Sequence, residues 1–507
     1  EFAYEPGNHA VAVEKLIAAG AIPIGKTNLD QFATGLVGVR SPYGHPENPF
    51  HPDYIPGGSS SGSAVAVSTG LVSFSLGTDT AGSGRVPAAL NQLVGLKPTC
   101  GLVSARGVVP ACRSLDCVTV FAQTVAEAAA VLDVMAGFDP EDAYSRRWET
   151  PPLPVPRSPK VRVGVPAASQ LEFFGDDESA DAFRKAVERG RETLGWEIRE
   201  IDFGPFLEAA RLLYEGPWVA ERLAAIEPFL EANADAVFPV TRRIIEGGRT
   251  LGAVGAFRAA YRLRALKQSA DRAWEEVDAI LTPTIGRPYT VAEVEADPVG
   301  LNSKLGYYTN FMNLLDYAAV AVPAEFLTRQ GMPSGVTLFG PAFRDRFLLE
   351  LASRFQSGPS GDGHDYAAHR FGSSEPAVEV AVCGAHLSGL GLNHQLTSRM
   401  GTLVEKSVTA PVYRMYALPA QNGFPPRRGL VRVQSGGAAI EMEIWSVPAA
   451  AFGSFVDGIG SPLGIGKVLT ASGREVSGFL CESWAVEGAE EITALGGWRA
   501  YLARAAG

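Results

Sequence analysis

The sequence predicts an α/β domain followed by a smaller α+β domain, and three observations support this prediction. Up to about residue 355, stretches with helical periodicity alternate with short apolar runs typical of buried strands. From residue 378 onward, strand-like segments and helices no longer alternate regularly. The chain has 507 residues, enough for more than one domain. We therefore expect domains at 1–356 and 378–507, joined by a linker at 357–377 that is rich in Gly, Ser, Pro, His and Asp.

In the first domain, elements follow from periodicity and from cap and turn residues. His9–Ala19 has helical spacing and ends at Gly20, Gly35–Pro56 is a loop, and the prolines between 151 and 159 form a spacer. The region 180–276 is mostly helical in pattern. The other predicted elements are strands at Ala21–Gly25, Val72–Gly77, Val161–Val165, 278–284, Ala318–Pro323 and Gly335–Gly340, and helices from Pro87, at Val125–Ala136 and at Arg346–Phe355.

The second domain is predicted from short strand-like segments and two helical ones. A hairpin is expected within Lys467–Cys481 and a last helix at Leu495–Ala505. The remaining segments are strands at Val378–Cys383, Val412–Leu418, Leu430–Val433 and Ile440–Val447, and a helix at Pro448–Val456.

The composition is that of a soluble globular protein and argues against several classes of function. Hydrophobic residues make up 46% and charged residues 20% of the chain. The net charge of -11 argues against a nucleic-acid partner, and no apolar run reaches the roughly 18 residues of a membrane span. Five cysteines without CxxC spacing argue against a zinc site or a disulfide framework. We therefore expect a cytoplasmic protein that uses neither a metal nor a cofactor.

The most informative stretch of the sequence is Pro56–Leu90, which holds two clusters of Ser and Gly, Gly57–Ser63 and Ala81–Arg85. Small residues let the backbone come close to a ligand, and glycine adopts conformations that other residues avoid. Pro87 suits the first turn of a helix. We therefore expect Ser83 on a tight turn between a strand and a helix, with its hydroxyl and nearby backbone N–H groups directed at one point.

Other interpretations of these clusters fit less well. A serine nucleophile usually needs a histidine base, but no histidine lies between residues 52 and 363, and no GxSxG motif surrounds Ser83. A phosphate-binding loop of the Walker type would need Lys followed by Ser or Thr after GxxxxG, where Ser63 and Ala64 stand. A flexible linker would not be followed by an apolar stretch that needs burial.

The two clusters, GGSSSGS and GTDTAGSGRVP, resemble the signature of the amidase signature family, and the resemblance covers roughly residues 1–355. It implies a central mixed sheet covered by helices. It also implies that Ser83 attacks an amide carbonyl and that Ser59 relays a proton. The oxyanion would be bound by the backbone N–H groups of Thr80, Ala81, Gly82 and Ser83. Asp79 and Arg85 are expected to form a structural frame for the turn.

The family's third catalytic group is a lysine in a segment that precedes EFAYEP, the first residues of this chain. Lys26 and Lys97 match other parts of the family pattern, so we assign both a structural or surface role. A buried lysine can act as a base once desolvation lowers its pKa, and a bridging hydroxyl lets it reach the nucleophile. We therefore expect that the protein continues upstream of Glu1; otherwise this chain cannot turn over.

Within the family, QFATGLVGVRSPYG and LLYEGPWVAER resemble the allophanate hydrolases. The implied substrate, allophanate, carries a carboxylate that needs a cation and hydrogen-bond donors. The resemblance places these on Tyr214 and Arg222, whose spacing of eight residues predicts one face of a helix. Gly35 is expected to add backbone contacts.

The segment VAVCGAHLSGLGLNHQL resembles the start of the C-terminal domain of allophanate hydrolases. That domain is implied to decarboxylate N-carboxycarbamate, the product of the amidase step, by means of a histidine. The candidates are His386 and His394, and we favour His386. We also expect a homodimer. The alternatives left open are another amidase of the family, such as one component of a tRNA-dependent amidotransferase, and a scaffold without activity.

Overall fold

The structure is a computed structural model that describes residues 2, 5–147, 161–358, 377–399, 401–419 and 427–506. The predicted proline spacer at 151–159 and nearly all of the predicted linker lie outside the described residues. The chain divides into two compact units. The described part of the first unit ends at Gly358, and that of the second begins at Ala377.

A single mixed sheet runs through the first unit. Its strand order is β1-β3-β2-β7-β8-β6-β4-β5, and only the pairs β4–β5 and β4–β6 are parallel. The mixed sheet expected from the resemblance is thus confirmed. The strands are β1 (Phe74–Asp79), β2 (Val94–Lys97), β3 (Cys117–Ala122), β4 (Arg162–Pro166), β5 (Glu197–Ile201), β6 (Ala279–Pro283), β7 (Tyr317–Leu327) and β8 (Met332–Pro341).

Both faces of this sheet are buried, which explains the continuous apolar runs of its central strands. On β7, Val320 and Val322 contribute to one apolar cluster, whereas Tyr317 and Ala319 contribute to another. The helices are α1 (Val11–Ala18), α2 (Ser61–Ser68), α3 (Val86–Leu90), α4 (Val125–Met135), α5 (Asp177–Glu188), α6 (Gly204–Glu215), α7 (Trp218–Ala232), α8 (Pro239–Glu246), α9 (Ala253–Asp271), α10 (Ala273–Glu276), α11 (Val291–Ala296), α12 (Gly300–Leu305) and α13 (Asp345–Ser357).

Two predictions for the first unit are corrected. Ala21–Gly25 forms no strand, because no described strand pairs with it, and Ile22 and Ile24 are 80% and 75% exposed. The helix α2 begins at Ser61, within the first Ser/Gly cluster, for which the sequence predicted no element. The mostly helical region 180–276 is interrupted by β5, which pairs in parallel with β4.

The second unit is an α+β domain, as predicted, with a five-stranded sheet of order β10-β13-β9-β15-β14 and a three-stranded sheet of order β12-β11-β16. Thr402–Val408, the edge strand β10, was not predicted because most of its side chains are exposed. The elements are β9 (Ala377–Val382), β10 (Thr402–Val408), β11 (Tyr413–Leu418), β12 (Arg427–Arg432), β13 (Glu441–Pro448), β14 (Leu463–Leu469), β15 (Glu475–Cys481), β16 (Glu490–Glu491), α14 (His394–Thr397), α15 (Ala449–Asp457) and α16 (Trp498–Ala506).

Candidate active site

The second Ser/Gly cluster forms a tight turn between β1 and α3, and the buried carboxylate of Asp79 shapes it. Asp79 accepts hydrogen bonds from the backbone N–H groups of Gly82 at 2.8 Å and Gly84 at 3.1 Å. It also receives two bonds of 2.9 Å from the Arg85 guanidinium, and neither side chain of this pair is exposed. Asp79 thus joins two backbone N–H groups and a buried guanidinium through short hydrogen bonds, and this frame fixes the turn.

Ser83 lies at the centre of this turn and is 2% exposed. Its Oγ lies 3.5 Å from the carbonyl oxygen of Gly35. The backbone N–H groups of Thr80, Ala81 and Ser83 have no acceptor among the described residues, whereas that of Gly82 is bonded to Asp79. The turn therefore leaves three of the four predicted oxyanion donors free and engages the fourth.

Ser59 follows a cis peptide bond to Gly58 and is completely buried. Its Oγ has no hydrogen-bond partner in the described part of the chain. Gly58 donates its N–H to the carbonyl oxygen of Leu36 at 2.9 Å, and Gly35, next to Leu36, contacts Ser83. The segment Gly35–Leu36 thus touches both serine-bearing loops and brings Ser59, Ser83 and Gly35 into one site.

Close packing of glycines makes this approach possible. A Cβ atom on Gly58 would lie 2.1 Å from Asp30 Oδ2, and one on Gly35 would lie 2.6 Å from the same oxygen. Asp30 is fully buried and accepts the backbone N–H groups of Gly38 at 2.9 Å and Arg40 at 2.8 Å. The carboxylate of Asp30 therefore holds the loop of Gly35 close to the loop of Ser59.

Tyr214 and Arg222 reach the same site from two helices, which corrects the prediction that they share one. The helix breaks at Gly216 and Pro217, so Tyr214 lies on α6 and Arg222 on α7. Proline has no N–H to continue the hydrogen-bond ladder of α6. Tyr214 packs in the apolar cluster that contains Ala81 of the turn.

Arg222 is 3% exposed and is bonded to the loop beside Gly35. Its Nη1 donates to the carbonyl oxygen of Ala33 at 3.1 Å and to Thr34 Oγ1 at 3.2 Å. Burial lowers the pKa of Arg222, but Cys112 and the neighbouring Tyr214 outweigh this effect, so its pKa is raised. The guanidinium remains charged next to the candidate site.

No lysine of the described chain bonds to Ser59 Oγ. Lys97 is completely buried, and its Nζ donates to the carbonyl oxygen of Pro98 at 3.0 Å and to Cys100 Sγ at 3.7 Å. Lys26 is exposed. Neither lysine is therefore placed as a base for Ser59.

The two histidines of the second unit occupy different environments. His386 stacks on Phe479 with ring centroids 5.0 Å apart, and its Nε2 lies 3.0 Å from Gln395 Oε1. Burial lowers the pKa of His386 to about 4, against the opposing effect of Gln395. His394 is exposed, and its Nδ1 bonds to the carbonyl oxygen of Gly391 at 2.8 Å. The imidazole of His386 is therefore partly enclosed and neutral, whereas the side chain of His394 is exposed.

Comparison with known proteins identifies the family of the first unit. Residues 2–349 match the family model described as amidase. The chain belongs to the amidase family. Residues 378–503 of this amidase match the model of the allophanate hydrolase C-terminal domain.

Similar proteins extend over both units of the amidase. Urea amidolyase from Saccharomyces cerevisiae is 44% identical over 522 residues, which cover 99% of this chain but only 28% of that protein. The chain therefore spans less than a third of the length of this curated relative. Allophanate hydrolase from Kluyveromyces lactis is similar in structure, with a TM-score of 0.88 and 42% identity over 99% of this chain and 84% of that one.

A third comparison covers a smaller share of the chain. The structure of the A component of glutamyl-tRNA(Gln) amidotransferase from Thermotoga maritima covers 70% of this chain and 78% of its own, with a TM-score of 0.59 and 30% identity. The two Kluyveromyces and Saccharomyces proteins match nearly the whole chain, whereas this one does not.

Two residues that contact the candidate catalytic turn could not be predicted from the sequence. Asn313 Nδ2 donates to the backbone carbonyl oxygens of Asp79 at 2.7 Å and Leu115 at 2.8 Å. A Cβ atom on Gly82, whose φ is +136°, would lie 2.5 Å from Thr309 Oγ1. Both residues come from a segment more than 200 positions downstream, so no local pattern could link them to the turn.

Proposed function

We propose that this chain hydrolyses the amide bond of allophanate in its first unit and decarboxylates the product in its second. The observation that carries the first step is the buried turn in which Ser83 meets free backbone N–H groups, with the unpartnered hydroxyl of Ser59 in the same site. Similarity to allophanate hydrolase and urea amidolyase over both units supports the choice of substrate.

In the first step, Ser83 Oγ attacks the terminal amide carbonyl of allophanate, and the N–H groups of Thr80, Ala81 and Ser83 stabilise the oxyanion. Ser59 passes the proton of Ser83 to a base and returns it to the leaving amine. Ammonia departs, and water then releases N-carboxycarbamate from the acylated serine. The base implied by the resemblance is a lysine, and this stays a prediction.

Arg222 and Tyr214 are proposed to bind the carboxylate of allophanate. A buried guanidinium binds a carboxylate strongly because its N–H groups match the two oxygens. Arg222 uses Nη1 for the Ala33–Thr34 loop, which leaves the other edge of the fork for the substrate. Gly35, held in this loop, closes the site beside Ser83.

In the second step, the dianion N-carboxycarbamate takes up one proton and splits into carbon dioxide and carbamate. Carbamate takes up a second proton and yields a second ammonia and carbon dioxide. The neutral imidazole of His386 is proposed to relay the proton that N-carboxycarbamate takes up in the first of these two reactions. His394 is the less suitable candidate because it is exposed and bonded to Gly391.

The test is ammonia release from allophanate by the full-length protein. Ser83→Ala is expected to lower the rate by about 10³-fold or more, because nucleophile loss leaves only binding and oxyanion stabilisation. Ser68→Ala is the matched control and should retain the rate. Ser68 lies in α2, and its hydroxyl donates to the carbonyl oxygen of Asn91. Equal rates in both variants would remove Ser83 from the reaction, and an inactive wild type would favour the scaffold alternative.

The expected partners and location stay predictions. None of the helices in the described ranges is long and apolar enough to cross a bilayer. The homodimer is tested by sedimentation velocity on the full-length protein, and the cytoplasmic location by cell fractionation.

A further inference from the structure

Arg428, on β12, is a buried cation without an acidic partner. The residue is 5% exposed, and its Nη1 donates to the carbonyl oxygen of Phe479 at 3.4 Å. Its Nε has no acceptor among the described residues, and no carboxylate of that part of the chain lies within 4.0 Å of the guanidinium. Because an uncompensated buried charge is costly, a site of this kind suits an anion supplied from outside.

The guanidinium lies beside the loop that carries His386. A Cβ atom on Gly384 would lie 2.6 Å from both Cγ and Nε of Arg428, so the glycine lets the arginine pack directly against this loop. The Cζ atom of Arg428 lies 5.4 Å from the centre of the Phe479 ring, on which His386 also stacks. After burial, which has the largest effect, the charge of Arg428 also lowers the pKa of His386.

Two other arginines of the second unit, Arg399 and Arg499, have acceptors for both of their terminal nitrogens. Arg399 donates from Nε and Nη2 to Ser454 and from Nη1 to the carbonyl oxygen of Gln395. Arg499 donates to Glu441 at 2.5 Å and to Glu443 at 3.0 Å. Arg428 differs from both because, among the described residues, its guanidinium donates to only one backbone oxygen and lies near an aromatic ring.

We propose that Arg428 is an anion-binding residue of the second unit and holds a carboxylate or carbamate group of a small ligand beside His386. A guanidinium can give two parallel N–H bonds to the two oxygens of such a group. The identity of the natural ligand as N-carboxycarbamate rests on the proposed function. The binding of a small carboxylate at Arg428 does not depend on it.

The probe is malonate, which replaces the N–H of N-carboxycarbamate by a methylene group and is stable. Full-length protein with ¹³C-labelled histidine reports on the site through the His386 resonance, assigned by its loss in His386→Gln. Malonate should shift this resonance saturably in the wild type and in Arg474→Gln, a surface arginine paired with Glu379 and Glu405. In Arg428→Gln, the apparent affinity should fall at least tenfold, and Arg428→Lys should restore only part of it.

Two results would overturn this assignment. One is that malonate does not shift the His386 resonance of the wild type. This measurement does not depend on whether a variant folds. The other is equal malonate affinity in wild type and Arg428→Lys or Arg428→Gln. If His386→Gln still decarboxylates while malonate binds through Arg428, the proposed second step fails and the anion site stands.

Discussion

Asp79 is the residue on which the geometry of the candidate catalytic turn depends. Its carboxylate binds two backbone N–H groups and the guanidinium of Arg85, all without contact to water. The same contacts keep Gly82 from serving as an oxyanion donor. A single carboxylate therefore sets which N–H groups of the turn are free.

Asp79→Asn removes the negative charge while preserving the size of the side chain. The buried charge of Arg85 is then left unpaired, so the free energy of unfolding should fall by about 3–5 kcal/mol. The exposed pair of Asp181 and Arg184 provides the control, since Asp181→Asn should leave the free energy of unfolding nearly unchanged. Urea unfolding measures both, and similar losses would mean that the frame does not hold the turn.

His386 makes stability depend on pH. Burial, more than the charges of Arg428, His394 and Arg399, lowers its pKa to about 4, while Gln395 opposes the shift. The unfolded chain, with a histidine pKa of about 6.5, binds the proton first. Stability from His386 is therefore complete above about pH 6.5 and is lost as the pH falls towards 4.

The measurement is urea unfolding of the full-length protein at pH 7 and pH 4.5. Wild type should lose more stability between these values than His386→Gln, which lacks the buried imidazole that takes up a proton on unfolding. His394→Gln serves as the control because that histidine is exposed, and it should behave like the wild type. Parallel losses in wild type and His386→Gln would contradict the buried, neutral imidazole.

At the scale of elements, the turn packs so closely against β3 that position 84 has no room for a side chain. A Cβ atom on Gly84 would lie 2.7 Å from Thr119 Cγ2, and Thr119 pairs with Gly77 of β1. Gly84→Ala should therefore cost about 1–3 kcal/mol by overpacking and displace Ser83.

Adding Thr119→Ala to Gly84→Ala should recover part of both stability and ammonia release, because it removes Cγ2 and Oγ1 of Thr119, the two atoms nearest to the added Cβ. A double-mutant cycle measures this coupling. Additive losses would show that the two residues do not share the space between the turn and β3.

Elements with strong periodicity could be predicted from the sequence, and those that depend on distant partners could not. α4 at Val125–Met135 has its capping box and apolar face in one local segment. Ala21–Gly25 has an apolar pattern but no described strand beside it. The break between α6 and α7 at Gly216–Pro217 was visible in the sequence as a helix-breaking pair, yet spacing alone placed Tyr214 and Arg222 on one helix.

At the scale of the whole molecule, each unit carries its own core and its own candidate site. The family signature marked Ser59 and Ser83 because these residues lie in contiguous motifs. Asn313, Thr309 and Arg428 have no such motif, since their positions follow from the tertiary fold. Site residues that lie in contiguous motifs could therefore be predicted from the sequence, whereas those placed by tertiary packing could not.

Ser83 is the proposed nucleophile on which the whole reaction depends, and rapid-quench mass spectrometry tests this role directly. Full-length protein mixed with allophanate and quenched in acid should yield a peptide acylated at Ser83, with one ammonia already released. The adduct should be absent from Ser83→Ala. Turnover of allophanate by a protein that never carries an acyl group on Ser83, or carries it on another residue, would contradict this role.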